Sequence, residues 1–286
     1  MPPLLQRFPF VSLPLTQLLF RLSLAAVFFG HALMRVLTPG YFAQAGEQMA
    51  ARGLPWASVW LMAATAVALV GSPLLVMNQG LRWIGPAFLL ITLGRMAFME
   101  QGWWVAEHGD GGREFSFVLC AMCLWVSAIG LKAQSGRLAA LLSPNRANCV
   151  LRWALALFFM IHAASRFTEA DYFRGLGAGL EQLGLPFGFY FGVAATALEL
   201  TGGTALLLNR GARWAALGLF GISAVGIGVI HLRLGWFVGE FGNGGAEFSL
   251  ALCAVCLLVA AWDRETASAA ALPERHHRLV AQGAQQ

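Results

Sequence analysis

Charge is what this chain has least of. Asp, Glu, Lys and Arg make up 12% of its 286 residues, while 58% are hydrophobic. A soluble domain of this length carries about 25% charged residues. The scarcity is not uniform, because charge is confined to short joints between long apolar blocks, as in a polytopic membrane protein. Recognisable soluble-enzyme signatures are also missing: there is no P-loop, dinucleotide fingerprint, nucleophile elbow or HExxH. The formal charge of +5 is carried by basic residues spaced singly at segment ends, not by a patch, so no nucleic-acid partner is expected. Five cysteines form no spaced disulfide framework, and four of them lie inside apolar blocks. The Met-Pro-Pro start has neither a basic n-region nor a small-residue cleavage site, so no removed signal peptide is expected.

What is present is apolar length. Blocks at 15–37, 56–77, 83–99, 115–131, 150–167, 187–208, 214–234 and 248–262 give eight candidate spans. Several fall short of the ~20 residues that a ~30 Å hydrocarbon core asks for, which neighbouring helices or local thinning accommodate. The blocks repeat. Placing residue n over n+131 superposes Arg21, His31 and Arg35 on Arg152, His162 and Arg166, and Gly53-Leu54-Pro55 on Gly184-Leu185-Pro186. Asn78, Gly80, Arg82 and Trp83 fall on Asn209, Gly211, Arg213 and Trp214. At an offset of 133, GDGGREFSFVLCAMC (109–123) then aligns with GNGGAEFSLALCAVC (242–256). The pattern predicts an all-α protein of eight transmembrane helices in two parallel four-helix repeats: a first unit at 13–131, a cytoplasmic linker at 132–149, a second unit at 150–262 and a flexible polar tail at 263–286. An even number of spans per unit makes both copies enter from the same side.

Lys and Arg set the orientation. Arg7, Arg82, Lys132, Arg137, Arg146, Arg210, Arg213, Arg264, Arg275 and Arg278 fall on one side. Arg52, Arg113, Arg174 and Arg233 fall on the other, diluted by Glu107, Asp110, Glu169, Asp171, Glu181 and Glu240. The first side is read as cytoplasmic, with both termini inside an inner membrane and the glycine turns outside.

Three groups of residues could carry chemistry. His31/Arg35 and His162/Arg166 sit at i, i+4 and share a helix face. Ionisable groups within a span are costly and face a bundle interior or an aqueous cavity. They suit an anion or quinone-carbonyl site, or alternatively helix-to-helix hydrogen bonds, with the arginines reaching the outer headgroups. Haem ligation by His31 and His162 across the pseudo-axis is a further option. Glu199, deep in its block, is either a proton acceptor partnered by Arg166 or His231, or an interhelical hydrogen bond. Arg95 and Glu100 offer a corresponding polar group in the first unit, although i, i+5 is poor helical spacing for a direct pair. Cys120/Cys123 and Cys253/Cys256 stand at i, i+3, close enough for disulfides, or for a soft metal such as copper around the axis. Small residues at helix contacts are the alternative explanation. Cys149 is placed in the linker. Glu114 and Glu247, directly after Gly-Gly, complement the helix dipole. The Asp110/Asn243 turns gather too few oxygens for calcium.

The order of these features resembles the DoxX/DoxD family of membrane proteins: four spans, a His and a basic residue four positions on, Gly-Leu-Pro before the second span, a Glu within it, and Gly-Gly-x-Glu-Phe opening the fourth. The resemblance covers roughly 17–131 and 150–262. Three features depart from the family pattern. The usual Lys is Arg35 and Arg166. The second-span Glu exists only as Glu199, opposite Ala68. The late His of the third span appears as His231, opposite Glu100 or Phe98. The resemblance implies a membrane subunit of a quinone-linked oxidoreductase acting on a reduced sulfur or thiol donor, as in thiosulfate:quinone oxidoreductase, with a partner oxidoreductase subunit. On that reading His162, Arg166, Glu199 and His231 form the better-preserved pocket and His31 and Arg35 a degenerate copy. A non-catalytic scaffold, assembly factor or small-solute carrier, and copper handling through the cysteines, are the other readings. The orientation is testable in a cysteine-free background. A membrane-impermeant thiol reagent should label Ala51→Cys in intact cells and Gln79→Cys only after lysis; the reverse pattern overturns it.

Overall fold

The computed structural model describes residues 12–100, 102–103, 112–168, 171–238, 241 and 244–283, with side chains as far as 266. The turn at 109–111, the acids Glu107, Asp110, Glu169 and Glu240, Asn243, Arg7 and the side chains of Arg275, His276, His277 and Arg278 lie outside the described residues. Eleven α-helices follow one another among the described residues. The first unit holds α1 (Leu13–Leu37), α2 (Tyr41–Ala51), α3 (Ala57–Val76), α4 (Leu81–Phe98) and α5 (Arg113–Leu131). A short α6 (Arg137–Leu141) leads into α7 (Pro144–Ser165), α8 (Tyr172–Gln182), α9 (Gly188–Leu207), α10 (Ala212–Val229) and α11 (Ala246–Gly283). A 3₁₀ turn, His231–Leu234, follows α10. Among the described residues, seven helices are long and apolar enough to cross a membrane. The eighth long helix, α9, matches α3 at 20 residues but carries Glu199 with several Gly and Thr residues, and falls outside that group. The protein is an all-helical polytopic membrane protein.

The repeat extends to backbone conformation. Trp56 and Phe187, one step before α3 and α9, both have φ 60°, and Gly53 and Gly184 both have φ 92°. Asn78 and Asn209 also take positive φ. Their side chains accept from Arg21 (2.9 Å) and Arg152, which ties the start of each unit's first span to the turn between its second and third. Helix starts follow local chemistry. Pro lies at the beginning of α1 and α7, where the missing N–H is not needed, and Ser143 caps α7 by accepting from the Arg146 amide.

Several expectations shift. The joint after each first span is not a plain loop but an 11-residue helix, α2 or α8, too short to be read as a span. Ala45 and Met49 on α2 pack with Ala57 and Leu61 on α3. Cys149 belongs to α7, not to a linker, because Ser143-Pro144 starts that helix early. The third span of the second unit ends at Val229, so His231 stands on the 3₁₀ turn. Beyond residue 262 the backbone continues as α11 to Gly283, where a flexible tail is expected from the sequence.

The two units are also not self-contained bundles. Within each, the first span packs on the second (α1 on α3, α7 on α9) and the third on the fourth (α4 on α5, α10 on α11). The first span of each half then packs on the fourth span of the other: α1 on α11 and α7 on α5. The fourth spans form the inner pair, each with 72% of its apolar window inside the protein. Their equivalent rings Phe115 and Phe248 meet at 4.8 Å. The α4–α5 crossing is close enough to need glycine: a β-carbon on Gly130 would lie 2.3 Å from the Arg82 amide nitrogen. Overpacking of this kind costs about 1–3 kcal/mol. Gly130→Val should therefore lower the unfolding temperature by several degrees. Gly228→Ala, at a position with open space, should leave it unchanged. Equal effects of the two in a thermal melt would refute the close crossing.

Candidate functional site

The exchange of fourth spans decides which polar groups meet. His31 on α1 and Glu247 at the start of α11 come together across the two halves: His31 Nε2–H donates to Glu247 Oε1 at 2.8 Å. The same carboxylate oxygen accepts from the Val238 amide at 2.7 Å. Both side chains are buried. The reciprocal pair is looser. His162 Nδ1 on α7 lies 3.8 Å from Glu114 Oε2 on α5, with the histidine side chain 38% exposed and its ring stacked on Phe158. Each half thus contributes a histidine to the other half's acid. Glu114 and Glu247 have a helix-dipole role by position; their pairing with histidine was invisible while each unit was read as its own bundle. The repeated Gly-Gly-x-Glu at one offset was the available signal.

Glu199 finds its partner within its own half. Arg166 Nη1 lies 2.8 Å from Glu199 Oε2, and Nη2–H donates to Oε1 at 3.0 Å. Arg166 Nη1–H also donates to Thr196 Oγ1 at 2.6 Å. Thr196 is a site residue that sequence reasoning missed, since a threonine on an apolar helix carries no distinctive signal. Arg166 and Glu199 are 7% and 3% exposed, so neither faces the acyl chains. His231 does not join them: its Nδ1 is 2.7 Å from the Gly244 carbonyl, which places it as a tie between the 3₁₀ turn and the segment entering α11.

In the first half the acid is on a different element. Ala68 occupies the position of Glu199, and the buried pair is Arg95 Nε with Glu100 Oε1 at 3.0 Å. The i, i+5 objection fails because α4 ends at Phe98, and Glu100 folds back with its amide on the Arg95 carbonyl. Ser116 on α5 donates to the same Glu100 oxygen. Burial pushes the Glu100 carboxyl above the usual carboxylate range, against the pull of Arg95 and Ser116. His31, Arg35 and Arg95 line a small shared void with Thr92.

The two halves differ most in their cavities. Between α8, α9 and α10 lies an apolar cavity of about 460 Å³, walled by Leu176, Leu198, Gly218, Gly221, Ile222 and Val225 and ending on Arg166 and Glu199. In the first half Trp60 packs against Gly94, where a β-carbon would lie 2.5 Å from its ring. The cysteines stay within helix contacts. Cys120 Sγ–H points to Met96 Sδ on α4 (3.9 Å), and Cys253 Sγ to the Phe220 carbonyl on α10 (4.0 Å). All five are free thiols. Among the described residues no three His, Cys, Asp or Glu side chains converge as a metal-binding group.

A family model for DoxX matches residues 16–101 and 147–232, together more than half of the chain and offset by the same 131 residues as the repeat. The chain belongs to the DoxX family. Neither curated proteins nor solved structures return a match. The matched stretches cover the first three spans of each DoxX unit and stop before α5 and α11, so the acids that receive His31 and His162 stand outside them. Within this DoxX chain the Arg166–Glu199 pair is the clearest energetic unit. Leaving one member of a buried pair unpartnered costs about 3–5 kcal/mol, whereas an apolar replacement of both costs far less. In a double-mutant cycle, Arg166→Leu and Glu199→Leu should each destabilise more than the double variant. Additive losses in chemical unfolding would show that the pair is not coupled.

Proposed function

We propose that this protein is the membrane subunit of a quinone-linked oxidoreductase that passes electrons from a reduced sulfur or thiol donor, with the quinone bound in the second half. The reading rests on one observation: an apolar cavity between α9 and α10 that ends on a buried guanidinium–carboxylate pair. A membrane quinone has a complementary shape, with an apolar tail and a ring bearing two carbonyl oxygens. In this reading Arg166 donates to a carbonyl oxygen, and Glu199, after taking up a proton that enters by way of His162, passes it to the ring as it is reduced. His162, partly exposed near the end of α7, suits proton exchange with the exterior. The inner membrane, with both termini cytoplasmic, is the matching location, and it puts these groups in the outer half. A partner subunit carrying the donor's chemistry belongs to the same reading, as does the lipid bilayer that delivers the quinone.

The test separates the head of the site from its walls. Glu199→Gln should reduce quinone turnover with thiosulfate or a thiol donor at least tenfold while leaving quinone binding within a few-fold. Gly221→Leu fills open space on the cavity wall, and should weaken quinone binding at least tenfold in purified, folded protein. Unchanged turnover in the first variant and unchanged binding in the second would overturn the proposal.

A further inference from the structure

A second cavity, in the first half, has the opposite character. It measures about 330 Å³ and opens between α2 and the end of α4, lined on its polar side by Thr38, Tyr41, Gln44, Gln48, Arg52 and Arg95. Two guanidiniums, two amides and two hydroxyls face it, and no carboxylate is among its described lining residues. Arg95 uses Nε on Glu100, but its Nη2, buried, has no hydrogen-bond partner. The Tyr41 hydroxyl is also buried without a partner. Arg52 spends one nitrogen, Nη1, on the Phe98 and Met99 carbonyls at 3.0 and 2.7 Å, which locks its stem over the end of α4 and leaves the rest of the fork over the opening. Phe241, from the loop that precedes α11, packs on the Tyr41 ring at 5.5 Å and closes one side.

Buried donors without acceptors are costly, about 1–3 kcal/mol each and more for a charged group. A guanidinium with a free edge, in a cavity whose described lining carries no carboxylate, is matched by an anion with several acceptor oxygens. We infer that this cavity binds an anionic oxygen group, that of a small soluble oxyanion or of a lipid phosphate, held by Arg95, Arg52 and Tyr41. The room exceeds what one such group fills: at about 30 Å³ per water, it accommodates the group with part of its hydration shell. The copied half does not repeat the site. At the offset of 131 residues, Arg52, Arg95, Gln44 and Gln48 correspond to Leu183, Gly226, Gly175 and Gly179, and only Tyr41 survives, as Tyr172. Gly226 instead lines the apolar cavity. The two halves therefore carry one pocket lined by cations and one lined by apolar residues at related positions. The anion site stands on its own lining and does not depend on quinone chemistry.

The experiment uses the full chain in detergent, titrated calorimetrically with sodium sulfate and sodium phosphate against sodium chloride at matched ionic strength. Because Arg95 also holds Glu100, the diagnostic variants are Arg52→Leu and Tyr41→Phe, which leave that pair in place. Saturable binding of sulfate or phosphate, weakened at least fivefold by Arg52→Leu and at least twofold by Tyr41→Phe, is the expected result. Native mass spectrometry from nanodiscs supplies the second arm. An anionic lipid retained by the parent protein and lost from Arg52→Leu, with no free-anion binding, assigns the same site to a headgroup. No saturable binding in either arm, or binding indifferent to both variants, overturns the inference. Glu199→Gln should leave anion binding unchanged, so failure of the quinone reading and failure of this one are read separately.

Discussion

An ionisable side chain inside a bilayer has to find a partner of the right kind within the protein, because neither lipid nor water will supply one. That constraint organises this molecule. Arg166 closes on Glu199, Arg95 on Glu100 and His31 on Glu247, and all six side chains are buried. The helix packing follows from it: α1 and α7 each reach past their own half to the fourth span of the other, where an acid waits at the first turn. The exchange also places the two most buried spans, α5 and α11, at the centre.

Duplication gave the chain two copies of each costly group, and the copies then diverged by moving charges between helices. Glu199 on the second span of one half is Ala68 in the other; Arg95 on the third span is Gly226; Glu100 is His231. Each change alters both the local charge and the space around it. Where glycines line α10, an apolar cavity remains beside a buried ion pair. Where Trp60 packs against Gly94 in the other half, polar groups line a cavity toward α2. A difference in cavity lining between halves of similar fold thus accompanies a handful of changes in side-chain volume and charge.

Much of this was legible in the order of residues. Apolar blocks with charged joints mark a membrane protein because burial of polar backbone in lipid leaves helices as the economical spanning form. The repeated positions of His31 and His162, and of Gly53 and Gly184, mark the duplication, and the matching backbone angles follow from it. The helices α2 and α8 were not legible, since eleven mixed residues look like a joint until Met49 and Ala45 are seen to pack on α3. The Arg95–Glu100 pair was obscured by helical spacing that stops applying where α4 ends.

By itself the sequence determined the all-helical membrane character, the twofold repeat, and which ionisable residues had to be hidden from lipid, because these follow from composition, period and the cost of burying charge. Which residue partners which was decided only in the folded molecule. His31 meets Glu247, more than two hundred positions away, and Glu199 meets Arg166 rather than His231, because the fourth spans cross between halves and the third ends a turn early. Pairing depends on distances between helices, and no spacing along one chain contains them.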